Sequence, residues 1–283
     1  CPSFLQRKKR AKDKPKDQLT KEDMRLLINF GPVNEKIKDV PTPMTTPEDI
    51  FNKLGRFKYI IVFDLYNGSF QHHMSEDSIP WLAIMTPFGG LRVIRRSGQG
   101  LLGQSEEFSL MIMKIIKEEL QAGKACQLVD DIVVGGETQE EAAENYIAIL
   151  KKFQLANIKV SAAKTHIFPE QVDILGWVWH QGGRLEPSPH RRNALANTKQ
   201  EDLKKVRDVR SWLGLYKTLR RATPKIHNIL DPLEQAVADK PSTDEFVWTH
   251  ELEMRFREAK SSIKDMHTLY LPDPKDQLVM TPD

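Results

Sequence analysis

Cysteine is nearly missing from this chain, with Cys1 and Cys126 the only two among 283 residues. Two thiols cannot build a disulfide framework or a four-cysteine zinc site, and such sparse use fits a reducing compartment. Long apolar runs are missing as well. The longest, such as Tyr59 to Phe63, reach about five residues, against the roughly 20 that span a bilayer, so no membrane partner is expected. No apolar block of the signal-peptide kind follows the basic start, so export is not expected either. The eight histidines stand in no CxxC or HExxH setting, and each reads as structural rather than as a metal ligand. What remains is ordinary globular composition, 29% charged and 40% apolar, in a chain long enough for more than one subdomain.

The net charge of +3 hides a segregation. Residues 1–16 carry seven Lys/Arg against one Asp, residues 187–225 carry eleven against three acids, and residues 226–283 carry six against twelve. Two basic regions flanking an acidic middle suit a polyanion held at the edges and handled at an acidic centre. Two solvated Lys-rich faces would give the same numbers.

Local patterns alternate between strand and helix. The opening CPSFLQ is extended and leads into a basic loop, Arg25 to Asn34 reads as a strand entering a turn at Gly31-Pro32, and Pro41-Thr-Pro43 as extended. Thr46 caps a helix with Pro47 at its first position, closed by Gly55. Lys58 to Gln71 is a buried, β-branched strand delivering Asp64 to its tip. A hairpin follows over Trp81 to Ile94 with Gly89-Gly90 as its turn. Ser105 caps a helix whose Phe108, Met111, Ile112, Ile115 and Ile116 share a face. Cys126 to Gly136 gives two short strands around Asp130-Asp131. Thr138 and Glu141 form a capping box for a helix burying Tyr146, Ile149, Leu150 and Phe153. Strands return at Ile158 to Val160 and Val172 to Trp179, before the turn Gln181-Gly-Gly-Arg. The remainder is mostly helical and ends in a strand-like QLVM. Strands mixed with helices without strict βαβ alternation indicate an α+β fold.

Asp130-Asp131 at a hairpin tip are costly unless a cation neutralises them. Together with Asp64 they make three strand-end carboxylates, the set that two-magnesium phosphoryl transfer requires. A plain Asp-rich turn is the alternative.

In order, RLLINFGPVN, FDLYNGSFQ, SGQGLLGQSEEF, LVDD, NIKVSAAKTHIF, DILGWVWHQGGRLEPSP, DVRSWLGLYKTLRRATP and FVWTHELEMRFREAKSSIKDMHTLYLPDP resemble the successive motifs of the reverse transcriptases of Ty3/gypsy-type long-terminal-repeat retroelements. The resemblance covers nearly the whole chain. It implies a right-hand polymerase: partial fingers over 1–57, a palm over 58–180 with a fingers segment interleaved at about 72–98, the primer-grip turn and thumb over 181–240, and a connection toward an RNase H domain over 241–283. It implies an RNA-directed DNA polymerase cut from a larger polyprotein, acting inside the cell in a cytoplasmic particle or the nucleus. The partners implied are an RNA or DNA template with its primer, dNTPs and the downstream RNase H domain, with dimer formation left open. The cofactor implied is a pair of Mg²⁺ ions, with Mn²⁺ as an alternative.

By that resemblance Asp64, Asp130 and Asp131 are the metal-binding triad, Asp131 the least directly engaged, and the Leu65 carbonyl completes the set. Arg25, with Lys8 or Lys9, faces the incoming triphosphate, although the two lysines equally suit a frayed basic terminus. Gln99 and Lys164 fall in the nucleotide pocket. Leu175, Gly176 and Trp177 fall in the primer grip, where Trp177 is equally a core aromatic. Arg207, Arg210, Gly214, Lys217, Thr218, Arg220 and Arg221 lie in the thumb. Gly214 costs about 1 kcal/mol in a helix relative to Ala, which close approach of a duplex or tight helix packing would explain.

The pattern also has departures. Leu128 and Val129 precede the two acids where the family has a tyrosine. Ser69 falls on the aromatic gate that excludes the ribose 2′-OH, with Phe70 beside it. Asn29 and Gly31 replace an aspartate and an arginine of the fingers, and Glu106-Glu107 replace small apolar residues. Asp283 stands where RNase H would contribute its first acid. A decayed or recruited relative that only binds nucleic acid, or a two-metal enzyme of another kind, are the competing readings.

Overall fold

A computed structural model describes residues 1–8, 11–38, 45–86, 89–128, 131–223, 226–271, 277 and 279. The extended Pro41–Pro43, Lys9, Asp130, Leu278 and Met280 of the terminal QLVM and Asp283 therefore lie outside the described residues, and Gln277 and Val279 are in no strand. The chain divides into two compact units, Cys1–Lys53 with Tyr59–Phe168, and Leu54–Lys58 with Pro169–Asp283. Among the described residues no helix is long and apolar enough to cross a membrane.

The first unit opens with an antiparallel pair, β1 (Ser3–Arg7) and β2 (Met24–Ile28), in which Gln6 faces Arg25. Between them Lys14 Nζ, at 3.0 Å, and Thr20 donate to Asp23 Oδ2, which holds that carboxyl down at about 2. At Gly31-Pro32 the expected turn is one turn of helix, α1 (Gly31–Asn34), because proline presets φ at the first helical positions. The helix α2 (Pro47–Leu54) carries its expected cap: Thr46 Oγ1 accepts from Asp49 N–H, and Asp49 Oδ2 accepts from Thr46 N–H.

The strand β3 (Tyr59–Asp64) is followed by the hairpin β4 (Ala83–Met85) and β5 (Leu91–Val93). The helix α3 (Gln104–Ile115) starts two residues earlier than a Ser105 cap suggests. Gly103, at φ 75°, is its N-cap, and Ser105 lies within the first turn. After α4 (Lys117–Gln121), the hairpin β6 (Ala125–Leu128) and β7 (Asp131–Gly136) leads to α5 (Gln139–Leu155) and β8 (His166–Ile167). Thr138 caps α5 as expected by accepting from Glu141 N–H, but the Glu141 carboxylate reaches one residue further back, to Glu137 N–H at 2.8 Å.

The sheet order is β6-β7-β3-β8. Ile61, Phe63, Leu65, Ile132 and Val134 bury one face against Phe108, Ile112 and Ile116 and against Ile149 and Phe153 of α5. Each such side chain stabilises the fold by about 1.5–3 kcal/mol. Because strand side chains alternate, Asp64 and Asp131 project from the opposite face.

The second unit carries a sheet of order β12-β11-β10-β9, built from β9 (Gln171–Ile174), β10 (Trp177–His180), β11 (Arg184–Pro187) and β12 (Leu269–Tyr270). The single strand expected over Val172 to Trp179 is a hairpin instead. Leu175 and Gly176 both take left-handed φ, 56° and 78°, and turn the chain back. Apolar burial continues on both sides of the turn, at Val172, Ile174, Trp177 and Trp179, which disguises the break. Four helices follow, α6 (Pro189–Asn197), α7 (Val206–Lys217), α8 (Ile226–Val237) and α9 (His250–Ser262). Trp212 of α7 stands 4.8 Å from Phe256 of α9 and 5.4 Å from Tyr216, ring centre to ring centre, and Tyr216 Oη donates to the Ala259 carbonyl.

Candidate active site

β3 and β7 pair in a register that sets Asp64 directly opposite Asp131. Like charges facing each other across a ladder destabilise a sheet, so this pairing needs a compensating cation. Part of the compensation is present: Lys164 Nζ donates to Asp64 Oδ2. The Asp131 side chain reaches solvent, yet the surrounding protein strips away enough water to raise its carboxyl above the ordinary range. The Asp64 charge raises it further and Lys164 opposes the rise. Opposed carboxylate oxygens in such a setting are the donor set of a hard divalent cation. No cluster of three acidic, His or Cys side chains forms among the described residues, of which Asp130 is not one.

Lys164 reaches Asp64 through an irregularity in the ladder. β3 pairs with β8 at Val62 and His166, and just beyond β3 Leu65 bridges Val160. Two residues separate Val62 from Leu65, but five separate Val160 from His166. The surplus forms a 3₁₀ turn, Ala162–Lys164, that returns the lysine over the carboxylate. Ser161 N–H donates to the Asp64 carbonyl and Tyr66 N–H to the Lys159 carbonyl, both at 2.9 Å. The Leu65 carbonyl takes part in neither bond, while its side chain is buried.

Ser69 and Phe70 lie in a 3₁₀ turn, Gly68–Gln71, entered from a left-handed Asn67. Successive residues there sit about 120° apart, not on opposite faces as in a strand. Half-exposed Phe70 opens on a cleft of about 200 Å³ shared with Tyr66, Asn67, Arg96, Asn157 and Lys159. Gln99 is exposed in the loop before α3, and Arg25 is exposed on β2. Two amide side chains that the sequence left unmarked organise these loops. Asn34 donates to the Gly100 carbonyl and accepts from Leu102 N–H, both at 2.9 Å, and so grips the loop of Gln99. Gln71 donates to the Tyr66 and Lys159 carbonyls, at 2.7 and 2.9 Å, and accepts from Lys159 N–H at 2.6 Å. Each stands three residues after a glycine, Gly31 and Gly68, which is the only local signal that could have marked them.

In the second unit, Gly176 takes the left-handed φ that favours glycine, and a Cβ there would stand 1.8 Å from Arg191 Nε, so the flexible Arg191 side chain would have to move aside. Trp177 is 2% exposed and belongs to the core. Arg210 is committed within the protein, donating to Ser242 Oγ, to the carbonyl of Val237 at the end of α8 and to that of Lys240 beyond it. Lys217 pairs with Glu234 at 2.7 Å, and Arg207 Nε stands 3.5 Å from Asp208. Gly214 and Thr218 are exposed, and among the described residues nothing comes within 4 Å of a Cβ built on Gly214. Tight helix packing therefore does not explain that glycine. Arg220 and Arg221 lie in the 3₁₀ turn Arg220–Ala222 that follows α7.

Opposed carboxylates at a hairpin tip of an antiparallel sheet, backed by two helices, define a polymerase-type palm. Residues 8–179 match the profile of the family described as reverse transcriptase (RNA-dependent DNA polymerase), and the chain belongs to that family. Similar sequences include the Pol polyprotein of the gypsy transposon of Drosophila melanogaster, 29% identical over 70% of this chain and 19% of the relative. Polyprotein P3 of Commelina yellow mottle virus is 25% identical over 90% of this chain and 13% of the relative. The chain thus spans a fifth or less of the length of these two relatives. Among solved structures, the foamy viral protease–reverse transcriptase in complex with double-stranded DNA matches with a TM-score of 0.76 at 23% identity, over 89% of this chain and 43% of that one. That likeness shows the fold, the α+β right-hand polymerase, and the gypsy, opus and 297 relatives bear out the Ty3/gypsy resemblance.

Proposed function

We propose that the chain is the polymerising part of a retroelement reverse transcriptase, an RNA-directed DNA polymerase that adds dNTPs to a primer 3′-OH on an RNA or DNA template. The observation that carries this reading is the opposition of Asp64 and Asp131 with Lys164 laid over the pair. Asp64, Asp131 and Asp130, with the Leu65 carbonyl, would hold two Mg²⁺ or Mn²⁺ ions, which activate the attacking hydroxyl and neutralise the pyrophosphate leaving group. Lys164 would turn from Asp64 to the triphosphate once cations occupy the carboxylates, aided by Arg25 and Lys9, with Gln99 against the nucleotide. Leu175, Gly176 and Trp177 would set the primer end. Gly214 and Thr218 would face the duplex, with Arg207, Lys217, Arg220 and Arg221 at its phosphates. We assign 1–57 to the fingers, 58–180 to the palm, 181–240 to grip and thumb, and 241–283 to the link toward RNase H, in a polyprotein processed inside the cell.

Primer extension on an RNA template with Mg²⁺ tests this. The wild type should extend, and Asp64→Asn should not. No extension by the wild type, or equal extension by both, sinks the reading. The same assay run with rNTPs locates the gate. If Phe70→Ala alone relaxes sugar selectivity, Phe70 is the gate; if Ser69→Tyr alone sharpens it, Ser69 is.

A further inference from the structure

The strand that carries Asp64 and the turn that carries Lys164 are held together at one end by regular pairing, Val62 with His166, and at the other by the isolated Leu65–Val160 bridge. An isolated bridge at the end of a ladder frays readily, since each net hydrogen bond contributes only about 1 kcal/mol. Here it does not stand alone. The Gln71 side chain extends it as another peptide unit would: its Nε2 donates to the Tyr66 and Lys159 carbonyls, and its Oε1 accepts from Lys159 N–H. Gln71 is itself held, because Arg96 Nη1 donates to its carbonyl at 3.0 Å. Arg96 immediately precedes the 97–104 loop that carries Gln99.

We infer that Gln71 is a positioning residue: its amide pins the 157–161 segment to the exit of β3 and thereby fixes Lys164 against Asp64. The inference rests on the polymerase reading and deepens it, since the pair being spaced is the one that would exchange Asp64 for a triphosphate. Without the clamp, the turn Ala162–Lys164 is anchored on one side by a single bridge. The ammonium then samples positions away from the carboxylate, and an error of about 1 Å in such a group costs on the order of a hundredfold in rate.

Two variants of the 283-residue chain test it. Gln71→Met keeps the volume and removes every polar atom. Gln71→Glu keeps the skeleton and the acceptor for Lys159 N–H, but loses both donors and turns a carboxylate on two carbonyls. Single-turnover incorporation on an RNA template with a DNA primer should fall by about 10–100-fold in each, with primer–template Kd within about twofold of wild type. In Gln71→Met, hydrogen exchange should speed up at Tyr66 and Lys159 and stay unchanged in β6 and β7. A loss confined to burst amplitude, with the rate per active site intact, would mean that Gln71 only supports the fold and would overturn the inference. Unchanged exchange at Lys159 in Gln71→Met would overturn it as well. If the wild type incorporates nothing, the polymerase reading falls and takes this role with it. If the wild type incorporates and both variants match it, only the role falls.

Discussion

The sheet of the first unit and the helices of the second handle charge in opposite ways. At the start of β7, Asp131 faces Asp64, and Lys164, laid over them, donates to Asp64. In the second unit several thumb cations are matched within the protein: Arg210 on carbonyls and a hydroxyl, Lys217 on Glu234, Arg207 beside Asp208. Concentrated like charge that the protein compensates only in part marks a place where something else can bind. Basic residues that are already partnered mark a surface, and their number overstates what they can offer a polyanion.

The largest effect should come from breaking the partly compensated side of that contrast. Asp130→Asn should lower extension by more than about a thousandfold, several kcal/mol of transition-state stabilisation, while primer–template affinity stays within about twofold. Wild-type extension rates in this variant would dismiss the two-metal assignment.

Next comes the partnered side. Neutralising Arg207, Lys217, Arg220 and Arg221 together would reduce the slope of log K against log salt by up to about four contacts' worth if all four were given to phosphate. With Lys217 already on Glu234 and Arg207 beside Asp208, a reduction clearly short of about four is expected. Arg210→Met should leave the slope alone and cost about 1–3 kcal/mol of stability, because the Val237 and Lys240 carbonyls lose their donor. If Arg210→Met flattens the slope as much as the quadruple variant, the distinction between structural and binding arginines is lost.

Much of this was legible in the sequence. The β-branched run ending in Asp64, the two short strands within Cys126 to Gly136 and the Thr46 and Thr138 caps all follow from local rules, and the structure keeps them. Other features were hidden for identifiable reasons. The hairpin at Leu175–Gly176 looked like one strand because burial resumes after the turn, although it shifts from Val172 and Ile174 to Trp177 and Trp179. That change of parity was the available signal. The fate of Arg210 depended on where the end of α8 falls, about 30 residues on, and Gln71 on a segment 88 residues away. No local pattern reports contacts of that range.

A smaller effect concerns Asp131. Its carboxyl is raised above the ordinary range by lost hydration first and the Asp64 charge second. A carboxyl raised on folding contributes stability that is complete below its unfolded value and lost as pH climbs through its folded one. Without divalent cation, Asp131→Asn should therefore raise Tm at neutral pH, by about 1–3 °C. Mg²⁺ should raise the Tm of the wild type more than that of the variant. Equal responses to Mg²⁺ would mean that Asp131 contributes nothing to cation binding.

The smallest expected change tests whether the second unit also stores something for a ligand. Leu175 is half-buried and holds φ 56° in a two-residue hairpin turn. A left-handed conformation costs an ordinary L-residue about 1–2 kcal/mol, and asparagine less. Turns with two positive φ values favour Asn-Gly, so Leu-Gly is a strained choice where an easier one existed. Leu175→Asn removes that strain and gives up part of a half-buried side chain, two opposed terms of similar size. Tm should hold or rise by up to about 2 °C. If the leucine is kept for contact with the primer end, extension should meanwhile become severalfold less processive. A fall in Tm with activity following it would instead make Leu175 a packing residue. The partly compensated carboxylates of the first unit would then have no counterpart in the second.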